Sequence, residues 1–254
     1  MYRPKSTDVW FNLPGVVAAY QPIAAPDPFA APQNVAHGGA RFGVYTATPG
    51  ALPSWSAATG WTFNGTTQYL SLQITADDSF SALVRFSGTT NAATDKIIFG
   101  SQNSTGARFF VETSNSDRVA YCHQSYVFVS PGLLAGNLGV AGQQGFRNGI
   151  ADGAAIATDA LAYSTTMFIG CLSTNGATSL FWNGAIQALV LVSRVLSPAE
   201  MWLASRQMAY CHVNPEWNAW ARRRRYYYAP SAAGAAFNPA WARNANTVIN
   251  QVHP

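Results

Sequence analysis

Charged side chains are sparse in this 254-residue chain, at 10% against roughly a quarter in ordinary domains. That excludes a highly charged helical bundle or coiled coil. It also leaves few acids and bases for catalysis. Cysteine is equally thin: Cys122, Cys171 and Cys211 are odd in number and far apart, which argues against a disulfide framework. No apolar run approaches the roughly 18 residues of a helical membrane span, and a membrane is not among the expected partners. The first fourteen residues carry Arg3, Lys5 and Asp8 and no hydrophobic stretch of signal-peptide length. The expectation is a chain made in a host cytoplasm that leaves by lysis or by assembly into a particle. A Gly-x-Ser-x-Gly nucleophile elbow and a phosphate-binding Gly-x₄-Gly-Lys-(Ser/Thr) loop are both missing.

What is present is apolar and unevenly charged. Hydrophobic residues make up 48% of the chain, enough for a core and too many for a wholly disordered chain. The net charge is +4. Residues 1–200 hold nine Lys/Arg and ten Asp/Glu, whereas 201–254 hold six Arg and one Glu. The basicity therefore belongs to the C-terminal end, in which Arg222, Arg223, Arg224 and Arg225 run together.

Three zones follow. Residues 1 to about 55 carry eight of the fourteen prolines and read as extended chain with one or two strands, because proline blocks helix interiors and central strands. Residues 56 to 196 read as strands: 69–74, 80–86, 96–99, 108–112, 167–170 and 186–192. Several alternate apolar with small or polar residues, the period-2 pattern of a half-buried strand. Asn64-Gly65, Asn148-Gly149, Asn175-Gly176 and Asn183-Gly184 suit tight turns, since this dipeptide accepts positive φ. From Ser197 the pattern changes. Ser197-Pro198-Ala199-Glu200 is a capping box with proline in the first turn, predicting a helix to about Tyr210. Beyond it, Asn214-Pro215-Glu216-Trp217 and Asn238-Pro239-Ala240-Trp241 repeat one cap-proline logic in a segment too small for its own core.

Several of these pieces resemble the concanavalin A-like jelly rolls of the laminin G kind. Gly15-Val16-Val17-Ala18-Ala19-Tyr20 is similar to the family's opening strand. The stretch from Trp61-Thr62-Phe63-Asn64-Gly65 to Tyr69-Leu70 is similar to its Phe-(Asp/Asn)-Gly-x-x-x-Tyr-(Val/Leu) motif, and Phe146-Arg147-Asn148-Gly149 to its Asn-Gly hairpin. Phe168-Ile169-Gly170, Trp182-Asn183-Gly184-Ala185-Ile186 and Leu191-Val192 to Glu200 resemble its closing strands and short helix. The region before the hairpin, Leu133 to Val140, lacks the family's tryptophan. The resemblance covers about 15–210 and implies an all-β, antiparallel two-sheet jelly-roll sandwich with a short C-terminal helix. The expected division is an arm over 1–14, the sandwich over 15–210 and a basic aromatic tail over 211–254. Arg- and Trp-rich tails after such a domain resemble those of bacteriophage structural proteins.

Candidate sites are few. The jelly-roll glucanases' Glu-x-Asp-x-x-Glu strand is absent, and the glutamates are only Glu112, Glu200 and Glu216. Asp77 and Asp78 are adjacent and would diverge on a strand. No catalytic residue is assigned, and the chain is expected to be non-enzymatic. Asp95, Asp117, Asp152 and Asp159 read as turn residues rather than calcium ligands. Cys122-His123 and Cys211-His212 lack zinc spacing and read as buried thiols beside partly exposed imidazoles. No metal or other cofactor is expected. Trp10, Trp55, Trp61 and Trp182 are candidates for a sugar-stacking platform, with core packing the stronger reading. The tail supplies the protein-interface candidates, Trp217, Trp220, Arg222 to Arg225, Tyr226, Tyr227, Tyr228 and Trp241, because arginine among aromatics is the composition of interface hot spots. Nucleic acid phosphates are the minor alternative for that run. The functional expectation is a structural protein of a phage particle, located in the virion, contacting other virion proteins or copies of itself. The alternative is a lectin-like module that binds surface glycans.

Overall fold

A computed structural model describes residues 10–25, 31, 48–89, 95–114, 117–157 and 161–210. Its strands are β1 (Val16–Tyr20), β2 (Thr48–Ala51), β3 (Ser54–Ser56), β4 (Gly60–Asn64), β5 (Tyr69–Thr75), β6 (Ser81–Ser87), β7 (Lys96–Gln102), β8 (Arg108–Ser114) and β9 (Arg118–His123). Then come β10 (Ser125–Val129), β11 (Gly136–Ala141), β12 (Gln144–Arg147), β13 (Ile150–Ala151), β14 (Thr166–Ile169), β15 (Leu172–Thr174), β16 (Ala177–Ser179) and β17 (Asn183–Val192), followed by helix α1 (Pro198–Tyr210). Short 3₁₀ turns form at Trp10–Asn12 and Pro22–Ala24.

The strands make two sheets, antiparallel but for β15, which runs parallel to β7. An eight-stranded sheet has the order β13-β12-β11-β6-β17-β4-β3, with β1 completing it beside β17. The ten-residue β17 can serve both neighbours: its first half pairs with β4 and its second half with β1. A nine-stranded sheet runs β10-β9-β8-β7-β14-β5-β2 and carries the β15–β16 hairpin. Between the sheets lies one core built around Tyr20, Trp61, Phe86, Phe99, Phe109, Tyr121 and Trp182.

Burial along each strand follows what covers its outer face. β6 is apolar almost throughout because α1 lies over its far side and that of β11, and β17 shares the same apolar cluster. Leu83, Val190 and Val192 belong to one buried cluster with Met201, Ala204 and Met208 of the helix. Trp10, Phe11 and Leu13 join that second cluster. Part of the segment expected to be an N-terminal arm over 1–14 is thus core.

The capping box forms as the sequence predicts. The Glu200 amide donates to Ser197 Oγ at 3.3 Å, and the Ser197 amide donates to Glu200 Oε2 at 2.9 Å. Arg194 grips the same carboxylate with two nitrogens and holds it well below the usual carboxylate range. Replacing Ser197 with alanine should cost about 1 kcal/mol, the usual worth of such a cap. The urea midpoint measures it, and an unchanged midpoint would mean that the Arg194–Glu200 pair alone fixes the helix start.

Two of the four Asn-Gly dipeptides are tight hairpins. Asn148-Gly149 joins β12 to β13 and Asn175-Gly176 joins β15 to β16, each with both residues at positive φ. The other two are not. The Asn64 side chain accepts the amides of Thr66 and Thr67 at 3.0 Å in the crossing from one sheet to the other. Asn183-Gly184 opens β17 instead of turning. Gly184 is required there because a Cβ would sit 2.7 Å from the Trp182 ring.

Candidate ligand-binding face

The outer side of the nine-stranded sheet is built by period-2 alternation. On β8, Phe109 and Val111 enter the core, so Arg108, Phe110 and Glu112 fall on the other side. On β9, Val119, Tyr121 and His123 point inward, leaving Arg118, Ala120 and Cys122 outward. Register then fixes the neighbours: Tyr126 of β10 lies opposite Cys122, and Phe128 lies opposite Ala120. Glu112, Ala120 and Phe128 therefore share one row across three strands.

Among the described residues, no helix covers this face at β10, the edge strand. Tyr126 is 47% exposed and Phe128 is 38% exposed. Their ring centroids are 5.1 Å apart, edge to face. The Arg108 guanidinium lies 5.5 Å from the Tyr126 ring centre, and that of Arg118 lies 4.1 Å from the Phe128 ring centre. The result is a ladder, Arg108–Tyr126–Phe128–Arg118, with two cations flanking two aromatic rings. Attraction between cation and ring face holds such stacks together.

An acid pair lies behind the ladder. Glu112 is buried and hydrogen-bonds through its side chain to Asp95. Burial first, and Asp95 second, push its carboxyl up to about 8, while Arg118 pulls the other way. The turn reading of Asp95 thus omits its main contact. Hydrogen-bonded carboxyls are closer than the roughly 5–9.5 Å that glycoside hydrolysis requires, and Glu112 is closed to solvent.

The other candidates resolve differently. Trp10, Trp61 and Trp182 are buried, and Trp55 is part-buried with its Nε1–H donating to Pro22 O at 2.8 Å. The four tryptophans form no exposed platform, because the sheets close over them. Cys122 is buried as expected, but so is the adjacent imidazole. His123 lies between Phe109 and Tyr163, with Nε2 3.2 Å from Asp77 O, a correction to the partly exposed ring. Asp77 accepts from the Ser79 amide at 2.8 Å, and Asp117 accepts from the Gly132 amide, both in turns. Asp152 is committed to Arg147 at 2.8 Å and to the Tyr121 hydroxyl at 2.7 Å. Among the described residues, no group of three or more His, Cys, Asp or Glu is placed to hold a metal ion. Asp159, Cys211-His212 and the interface candidates Trp217, Trp220, Arg222 to Arg225, Tyr226 to Tyr228 and Trp241 lie outside the described residues.

No family model and no curated protein matches this chain. Solved structures do. Trypanosoma rangeli sialidase in complex with 2,3-difluoro-KDN matches 80% of this chain at TM-score 0.54 and 11% identity, over 34% of that chain. The same enzyme in complex with sialic acid matches 77% at TM-score 0.52 and 12% identity, again over 34% of its length. A mutant displaying trans-sialidase activity matches 76% at TM-score 0.52 and 14% identity, over 33% of its length. The chain is a concanavalin-like β-sandwich. At these identities the likeness is one of fold, and the chain spans about a third of the length of the sialidase chains it matches.

The ladder was missed from sequence because 125–129 was not read as a strand. Its signal is present in Tyr126-Val127-Phe128-Val129, where aromatic and β-branched residues alternate.

Proposed function

We propose that this chain is a glycan-binding β-sandwich module, and that the face over β8–β10 is its binding face. The carrying observation is the ladder: two exposed rings in contact on an edge strand, each with an arginine against it. Aromatic rings offer apolar faces for the C–H sides of a sugar. Guanidinium groups offer paired donors that match a carboxylate. The composition favours a carboxylate-bearing sugar, for which sialic acid is the natural first probe. The fold supports the choice by analogy alone, since a sandwich of this class lies within an enzyme solved with sialic acid. The reading assigns binding, not turnover, to this face.

Calorimetry with the methyl α-glycoside of sialic acid and with a neutral galactoside tests it. The acidic sugar should bind and the neutral one should bind more weakly. Tyr126→Ala and Phe128→Ala should each weaken binding about tenfold, equivalent to about 1.4 kcal/mol, with little change in stability because both rings are exposed. Unchanged affinity in the double variant, or silence of the folded chain towards every acidic glycan on an array, would refute the reading.

A second reading, assembly into a phage particle, is favoured by one surface feature. Trp202, Arg206 and Tyr210 are exposed at i, i+4 and i+8 on α1, with Arg206 4.7 Å over the Trp202 ring. This stripe ends where the basic aromatic segment begins. Truncation after Val213 should leave the sandwich folded, since its strands and α1 lie within residues 16–210, and should abolish self-association in sedimentation. A truncated chain that aggregates or unfolds would show the tail to be part of the core.

A further inference from the structure

The ladder and the acid pair meet at Arg118, and two orphan atoms lie there. Among the described residues, neither the buried Glu112 Oε1 nor the buried Arg118 Nε has a hydrogen-bond partner. One is an acceptor and the other an N–H donor, and their side chains interact electrostatically. Arg118 thus has a position over Phe128, which it occupies, and an N–H that none of the described residues accepts, two residues along β9 from Ala120, the register partner of Glu112. A buried carboxyl hydrogen-bonded beside a second one is costly to ionise, so Glu112 keeps its proton.

We propose that Glu112 holds a proton beside Asp95, and that losing it draws Arg118 off the Phe128 ring into an ion pair with Glu112. Among the described residues, the titratable and charged groups interacting with Glu112 are Asp95 ahead of β7 and Arg118 and Cys122 on β9; Arg108 lies four residues away along β8, and Phe128 of β10 shares the Glu112 row across Ala120. Burial pushes the Cys122 thiol well up, so that group stays neutral. Lys96, next to Asp95, donates to Gly65 O at 3.3 Å and is directed elsewhere. Arg118 is then the cation that answers the new charge. The ladder keeps both cations below the transition and loses one above it. Resting on the glycan-binding reading, this makes capture of an acidic sugar weaken as pH rises past about 8.

The test uses the full chain and has two arms. In the first, ligand-free protein is titrated by NMR from pH 6 to 10. The Glu112 carboxyl carbon, the Arg118 Nε–H and the Phe128 ring should move with one midpoint, and Glu112→Gln should remove the Arg118 and Phe128 movement. If those signals stay still, or move equally in Glu112→Gln, the switch is overturned. In the second arm, affinity for the methyl α-glycoside of sialic acid should fall about tenfold between pH 6.5 and 9, the order expected for one lost charged hydrogen bond. It should stay flat in Glu112→Gln, whose side chain keeps the shape. Equal pH dependence in both proteins overturns the regulatory step. A correct first arm with no sugar bound at any pH overturns the glycan reading and leaves the Arg118 switch standing.

Discussion

Replacing Trp10 with alanine should cost about 3 kcal/mol or more, in the range for truncating a large buried ring. Trp10 is fully buried, and Phe11 meets it edge-on at 5.2 Å. Its cluster also holds Met201, Ala204 and Met208 of α1 and Val190 and Val192 of β17. Removing the indole therefore opens a cavity where a helix rests on a sheet. Trp10 Nε1–H is buried with no partner among the described residues, so the substitution also relieves an unmet donor. That places the expected loss at the lower end of the range. Denaturation in urea with Trp55→Ala as comparison measures it, since Trp55 is only part-buried and should lose less. A loss under about 1 kcal/mol would mean that residues 10–14 are a detachable arm.

Trp10 also shows what a local pattern omits. The sequence around it is proline-flanked and has no periodicity, so it reads as arm. Its burial depends on the outer face of the eight-stranded sheet, and that face exists only after β6, β17 and α1 have assembled. Elements that carry their own signal were legible: the alternating strands 69–74 and 80–86, the capping box at Ser197, and the hairpins at Asn148 and Asn175. The tryptophans were legible as core because large rings fill sandwiches. The ladder was not, because which parity of β10 faces outward is set by its register with β9. Nor was the acid pair. Asp95 and Glu112 are seventeen residues apart, and only the β7–β8 pairing brings the two segments together. In a chain with so few charges, the informative ones are those that long-range pairing buries.

Glu112→Gln should stabilise the chain at alkaline pH and do little at acid pH. In the unfolded chain this carboxyl has its ordinary value near 4.5, whereas in the folded chain it is pushed up to about 8. Between those two values the folded state holds a proton that the unfolded state has released. Stability therefore falls as pH rises through that window and levels off above it. Below the window both states are protonated and Glu112 carries no penalty. Glutamine never ionises, so its advantage grows from near zero at pH 4.5 to on the order of 2–3 kcal/mol at pH 9, using about 1.4 kcal/mol per pH unit and allowing for Arg118 to answer part of the charge. Urea unfolding at pH 4.5, 6, 7.5 and 9 gives the curve for both proteins. A gap of constant size would mean that the substitution acts through packing alone. Adding Arg118→Gln to the parent should steepen its alkaline loss, because the buried carboxylate then has no cation to turn to.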